Sequence, residues 1–181
     1  AKLDKQPQTI GTFIDEKVQE NSNTVKGPGC GLYLTFPTKA HEQVQMQVGL
    51  SYTSIENARN NRDTEVADKS FNDVKNAARQ IWNEMLGRIQ VEGGTPEDKT
   101  KFYTGLYHAL LGRGIANDIN GQYIRHDKTI GQIPLDKNGN PLYSHHNTDG
   151  MWGGFWNLTQ IWTLAYPEIY SSYIKSNLDF F

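Results

Sequence analysis

Val44-Gln-Met-Gln-Val-Gly-Leu-Ser-Tyr-Thr53 alternates, and the next run, Ser54-Ile-Glu-Asn-Ala-Arg-Asn-Asn-Arg-Asp-Thr-Glu65, does not. In the first run Val44, Met46, Val48, Leu50 and Tyr52 share one face of an extended chain, while Gln43, Gln45, Gln47 and Ser51 share the other. That is the period of a half-buried antiparallel strand over residues 43–53. From Ser54 onward the spacing turns helical and polar. The periodicity changes once along the chain, so the sequence reads as α+β, with sheet before Ser54 and helices after it.

Upstream, residues 31–37, Gly-Leu-Tyr-Leu-Thr-Phe-Pro, alternate in the same way, and residues 10–26 leave a strand and a polar loop both open. Two strands cannot bury their own apolar face, so these are expected to finish a sheet that lies mostly upstream of Ala1. Downstream, Ser70 with Asp73 marks a helix start. Phe71, Val74, Ala78, Ile81, Trp82, Met85 and Ile89 then form one apolar stripe ending at Gly93-Gly94, with Trp82 expected in the core. Thr95-Pro96-Glu97-Asp98 supplies an N-cap, a proline at the first helical position and acids against the positive helix end. The helix it opens carries Phe102, Leu106, Ala109 and Leu110. The last stretch, from Pro167, places Tyr170, Ile174, Leu178 and Phe181 at helical spacing and has no closing glycine or polar tail. A continuation beyond Phe181 is therefore expected, and the chain is read as a fragment of a larger protein.

The 181 residues carry a net charge of −2 with both signs interspersed, which supplies no basic stripe for phosphates, so nucleic acid is not an expected partner. Nowhere do eighteen apolar residues run together, so a membrane-spanning segment is not expected. Single Cys30, in Gly27-Pro-Gly-Cys-Gly31, has no second thiol to pair with and reads as a turn residue.

Three places concentrate ligand-capable groups. Asn120-Gly121 and Asn138-Gly139 are two-residue hairpin signals. Asp136-Lys-Asn-Gly-Asn140 superficially resembles a calcium loop but has Pro141 and Asn147 where the motif needs glycine and an acid, so a turn without metal is expected. In His145-His146-Asn147-Thr148-Asp149 the adjacent histidines of an extended chain point apart, which favours a polar loop lining a cleft over a metal site. His108 reads as a hydrogen-bonded structural histidine. The third place is Asp149-Gly-Met-Trp-Gly-Gly-Phe-Trp-Asn-Leu-Thr-Gln-Ile-Trp162, where a glycine-loosened turn enters an apolar helix. Trp152, Trp156 and Trp162 there suit the C–H faces of sugars, with Asp149, Asn157 and Gln160 as hydroxyl partners; core packing is the competing reading of the rings. No nucleophile elbow, zinc-protease helix or Walker loop occurs.

Five blocks resemble the glycoside hydrolase family 92 α-mannosidases: Val48-Gly-Leu-Ser-Tyr-Thr-Ser-Ile-Glu-Asn-Ala-Arg-Asn-Asn61, Ala78-Arg-Gln-Ile-Trp-Asn-Glu-Met-Leu86, Ile89-Gln-Val-Glu-Gly-Gly94, Lys101-Phe-Tyr-Thr-Gly-Leu-Tyr-His108 and Gly154-Phe-Trp-Asn157. They fall in order across residues 44–181. The polar Ser54 to Glu65 run is the most distinctive, because nothing about core packing demands it.

The resemblance implies the end of an antiparallel β-sandwich over residues 1–53, a helical linker over 54–93 and the first helices of an (α/α)6 toroid over 94–181. It also implies a calcium-dependent, inverting exo-α-mannosidase removing terminal α-linked mannose from glycans, α-1,2 linkages foremost, in a periplasmic or extracellular setting. By the same comparison the acid, the base and most Ca2+ ligands lie downstream of this chain, which would supply part of the sugar-binding wall and be inactive alone. Its partners are then α-mannoside oligosaccharides and the remainder of the parent chain. The wall residues implied are Trp156, Asn157, Phe155 and Asp149. The family pattern has Trp-Asp where this chain has Trp156-Asn157, so Trp156 carries over as a stacking platform while Asn157 lacks the acid's charge. The sequon Asn157-Leu-Thr159 is discounted because it falls on an apolar helix. The alternative to the enzyme is a non-catalytic carbohydrate-binding or scaffolding module.

Overall fold

The computed structural model describes residues 1–112, 114–148 and 151–179, with Met151 described in its backbone only. Two compact units are present, Ala1–Val48 and Gly49–Phe181.

The first unit is a small antiparallel assembly. β2 (Thr9–Ile14) lies between β3 (Lys17–Glu20) and β4 (Cys30–Thr35), and β1 (Lys2–Leu3) pairs with β5 (Met46–Gln47). The open stretch 10–26 therefore holds a hairpin, turned at Asp15 in the left-handed conformation (φ 49°). The strand expected over residues 43–53 shrinks to Met46–Gln47, because β1 offers only two residues to pair with it. Alternation fixes which side chains share a face; it does not supply the neighbouring strand.

The second unit holds α1 (Ile55–Glu65), α2 (Phe71–Leu86), α3 (Pro96–Leu111), the hairpin β6 (Gln122–Ile124) and β7 (Ile130–Gln132), a 3-10 turn (Met151–Phe155), α4 (Leu158–Ala165) and α5 (Pro167–Leu178). Capping explains where α2 and α3 begin. Ser70 and Thr95 each accept a hydrogen bond from the backbone N–H three residues on, while Asp73 and Asp98 each accept one from the cap N–H in return. The Ser70 hydroxyl and N–H bonding Asp73, and the Thr95 N–H and hydroxyl bonding Asp98, hold both carboxyls below the usual carboxylate range.

The core of this unit is aromatic: Leu106 of α3, Trp162 of α4, and Tyr166 and Tyr173 at and within α5, with Met85, Leu86 and Ile89 packed on them. Trp162 meets Tyr173 edge to face at 5.4 Å between ring centres. Tyr166 donates from its hydroxyl to the Met85 carbonyl at 2.9 Å, and Arg88, paired with Glu168, lies over the Tyr166 ring. Only the C-terminal end of the α2 stripe reaches this core. Phe71, Val74 and Ile81 are exposed, and Trp82 is half-buried against Tyr107, not the core residue the stripe predicts. On α5 the inward face is Ile169, Tyr173 and Ser176, one step round from the expected Ile174 and Leu178, which face solvent.

Candidate functional site

The polar Ser54 to Glu65 run, without a packing role in the sequence, is half of a latch. Ser54 caps α1 by accepting from the Asn57 N–H at 3.0 Å. One turn apart on α1, Asn57 and Asn61 both reach Asp118, which is 4% exposed. Its Oδ2 accepts from the Ser51 hydroxyl at 2.9 Å, from the Thr53 hydroxyl, and from the Asn57 amide at 3.0 Å; its Oδ1 accepts from the Asn61 amide at 2.8 Å. Asn61 also donates to the Leu50 carbonyl and accepts from the Ile119 N–H. Asn57 further bonds Gln122 and Asn120. A buried carboxylate is tolerated in a fold when its lone pairs are satisfied in this way. Gly49 sits in the same block because a Cβ there would stand 2.0 Å from the Ala58 carbonyl oxygen.

Beside the latch, residues 114–117 bind the histidine segment. Asn117 accepts at Oδ1 from the His145 N–H at 2.8 Å, the Ala116 N–H donates to the His145 carbonyl, and the Asn147 N–H donates to the Gly114 carbonyl. The histidine segment is thus held against residues 114–117 around an isolated antiparallel bridge between Ile115 and His146. His146 is buried, its N–H donating to the Ser176 hydroxyl, while His145 stacks on Tyr123 with ring centres 3.9 Å apart, and both line one cleft.

His145 borders a cleft of about 480 Å³ that Tyr52, Ile115, Ile124, Arg125, Thr148 and Asp179 also line. Burial pushes the His145 imidazole below its ordinary value, against the opposing pull of the Asp179 carboxylate. Its Nδ1 is buried without a hydrogen-bond partner among the described residues. An unpaired buried N–H is the costlier orphan, so the tautomer protonated on Nε2 is the favoured one. Under the ring, Tyr123 donates to Asp179 Oδ2 at 2.5 Å, and burial with that carboxylate pushes its phenol up to about 12.

The aromatic turn separates its tryptophans. Trp162 is 1% exposed and belongs to the core, whereas Trp152 is 78% and Trp156 70% exposed, with Phe155 edge-on to Trp156 at 5.4 Å. Asn157 precedes α4 in the left-handed conformation (φ 75°) and makes no side-chain capping bond among the described residues. It is exposed, and it sits at the helix start where the sequence placed it on the helix. Thr159 donates to the Gly154 carbonyl at 3.3 Å and Gln160 reaches back towards Phe155, so Gln160 is partly committed to the turn. Asp149 lies outside the described residues. His108 is exposed beside Tyr107 on α3. The Asp136 carboxylate accepts from the Asn138 and Asn140 backbone N–H groups at 2.8 Å each, which makes it a turn residue.

A sequence model of the glycosyl hydrolase family 92 catalytic domain matches residues 57–181. The chain belongs to glycosyl hydrolase family 92. The latch residues Asn57, Asn61 and Asp118, the core helices and the aromatic turn fall within that match, and the latch residues Leu50 to Ser54 and the first two residues of α1 lie just before it. Among solved structures, an inverting mannosidase of family GH92 from Bacteroides thetaiotaomicron VPI-5482 aligns over 96% of this chain and 23% of its own length, at 25% identity and TM-score 0.80. A GH92 α-mannosidase from Bacteroides thetaiotaomicron in complex with mannoimidazole shares the fold over 98% of this chain and 23% of its own, at 21% identity and TM-score 0.76. The GH92 glycosyl hydrolase ccman5 aligns over 94% of this chain and 22% of its own, at 25% identity and TM-score 0.77. The chain thus spans about a quarter of these neighbours' lengths. No curated protein sequence matches it.

Proposed function

We propose that this chain is part of a calcium-dependent inverting exo-α-mannosidase that hydrolyses terminal α-linked mannose, α-1,2 linkages foremost. In this reading residues 1–53 close a β-sandwich, 54–93 form the linker, and 94–181 begin an (α/α)6 toroid, in a protein exported to the periplasm or beyond. Membership of family 92 and the activity of the 25%-identical inverting mannosidase support it. The observation that carries the role of this chain is the turn that leaves Trp156 and Asn157 exposed side by side next to a fixed helix start. A tryptophan face takes the C–H face of a pyranose, and Asn157 bonds a hydroxyl, with Phe155 and Asp149 beside them in sequence.

Inversion needs an acid and a base about 6.5–9.5 Å apart on opposite faces of the sugar, with room for a water. Both belong to the remainder of the protein. Most of the Ca2+ ligands are assigned to that remainder as well, on the family resemblance, where hard oxygen donors would hold the ion. Among the described residues no helix is long and apolar enough to cross a membrane.

The test is mannose release from α-1,2-mannobiose, with calcium and with a chelator, by this chain and by the full-length protein that contains it. Release by the longer protein alone, lost on chelation, is expected. A second reading, a carbohydrate-binding module without catalysis, draws on Asn157 standing where the family pattern has an acid; it predicts binding of the disaccharide with no release by either protein.

A further inference from the structure

The two Asn-Gly pairs, Asn120-Gly121 and Asn138-Gly139, stand in turns with the same backbone bonds but in opposite surroundings. Asparagine is a chemically labile side chain, and a following glycine, with no Cβ, leaves its amide nitrogen open to attack the asparagine Cγ. At Asn120 the side chain is already committed. Its Nδ2 donates to Asn57 Oδ1 at 3.0 Å, and its Oδ1 accepts from the Gln122 N–H at 3.1 Å. Gly121 is buried, its N–H bonded to the Asp118 carbonyl at 2.8 Å, and a Cβ there would meet Gln132 Nε2 at 2.9 Å. Asn138 carries no such restraint. It is exposed, as is Gly139, and its side-chain amide makes no hydrogen bond among the described residues; only its backbone N–H is tied, to Asp136 Oδ1 at 2.8 Å. Beyond its chain neighbours, no described atom lies within 4 Å of the place a Cβ would take on Gly139. One bond, from the Gly139 N–H to the Asp136 carbonyl at 3.0 Å, has to open before the nitrogen is free.

We propose that Asn138 is a site of spontaneous covalent modification, converted through a succinimide to aspartate and isoaspartate, while the fold protects Asn120 from the same reaction. Hydroxide takes the Gly139 amide proton, the nitrogen bonds to Asn138 Cγ, the Cγ–Nδ2 bond breaks, and ammonia leaves. Water then adds to one of the two ring carbonyls. Addition at Cγ breaks the new N–C bond and gives aspartate; addition at the main-chain carbonyl breaks the original peptide bond and gives isoaspartate. Nothing is oxidised or reduced, and a neutral amide becomes a carboxylate next to Asp136. Isoaspartate also routes the main chain through Cβ and Cγ, which adds a methylene to a turn whose Asp136 Oδ1 holds the N–H groups of Asn138 and Asn140 at 2.8 Å each. The bridge between Leu135 and Pro141, which this turn closes, is the pairing that the product loosens.

The test is peptide mapping by mass spectrometry of the full-length protein held at mildly alkaline pH, native and in urea, with an isoaspartyl-specific carboxyl methyltransferase as the probe of the rearranged product. In the native protein the peptide holding Asn138 is expected to gain the mass of an amide-to-acid exchange about thirtyfold faster than the peptide holding Asn120, the scale of two side-chain hydrogen bonds that must open first. In urea the two rates are expected to converge. Methyl transfer should follow the Asn138 peptide and disappear from it in Asn138→Gln, whose longer side chain does not close the five-membered ring. Asn57→Ala, which frees the Asn120 amide, should raise the Asn120 rate while leaving it below the rate in urea. An Asn138 peptide that keeps its amide in the native protein, or equal native rates at the two sites, overturns the proposal.

Discussion

Asp118 carries more of the second unit than any single residue that its sequence advertises. Four side-chain donors converge on its carboxylate. Asp118→Ala leaves the Asn57 and Asn61 amides facing a void, and the expected loss is about 3 kcal/mol by urea unfolding, the scale of a buried donor pair stripped of a charged acceptor. Ser51→Ala, which removes one donor from a still-satisfied carboxylate, is expected to cost about 1 kcal/mol. Equal losses from the two variants would contradict the latch. Tyr123 makes a separate prediction in pH. Its folded pKa, about 12, lies above the ordinary 10.0, so the fold favours the neutral phenol. That contribution is complete below pH 10 and drains away as pH rises through 12. Tyr123→Phe should therefore flatten the alkaline limb of stability between these values, seen by unfolding curves taken across pH. At Asn157, aspartate tolerates the same left-handed backbone and restores the acid of the family pattern. Asn157→Asp is expected to leave the melting curve in place and to tighten mannoside binding by the full-length protein about tenfold, as a charge-assisted bond replaces a neutral one. Weaker binding would separate this turn from the sugar.

At the scale of elements, one five-residue turn is used three times, over residues 118–122, 125–129 and 136–140. In each, the first N–H donates to the fifth carbonyl and the fourth N–H donates back to the first carbonyl, with the fourth residue left-handed: Gly121 (φ 83°), Lys128 (φ 67°) and Gly139 (φ 83°). Two of these are legible as Asn-Gly, although each is one residue longer than the two-residue hairpin the dipeptide suggests. The third, which links β6 to β7, is hidden because lysine occupies the position that usually announces itself with glycine. Lys128→Gly is expected to stabilise by about 0.5–1 kcal/mol by relieving that conformation. Gly139→Ala, in open space, should cost about 1 kcal/mol, and Gly121→Ala more, since a Cβ there meets Gln132 Nε2 at 2.9 Å. Urea unfolding that failed to rank the three in this order would reject a shared turn. The same contrast governs the rest of the fold. Helix starts are legible because Ser70 with Asp73 and Thr95 with Asp98 are local hydrogen-bond partners. The latch is not, because Asp118 lies 57 to 67 residues from its donors and only the spacing of Asn57 and Asn61 hints that something must meet them.

For the whole molecule, apolar surface is the dominant fact. Phe71, Val74 and Ile81 lie along one side of α2, Leu164 on α4 is 86% exposed, and Leu50 and Tyr52 stand out just before α1. Isolated apolar side chains on a surface are ordinary; a row of them along a four-turn helix is not. The family neighbours are about four times as long as this chain, and in the proposed toroid the later helices would lie over such faces. The chain by itself is therefore expected to associate, with a sedimentation coefficient that rises with concentration, while the full-length protein stays at one size. Phe71→Gln combined with Ile81→Lys should reduce the association of the isolated chain without lowering its stability, because neither side chain reaches the Trp162 core. In the full-length protein the same pair should destabilise, since a charge would then be placed where the row is covered. A parent chain that sediments as a single monomer at every concentration, or variants that behave alike in both contexts, would show that the α2 face is surface in its own right and has no cover to lose.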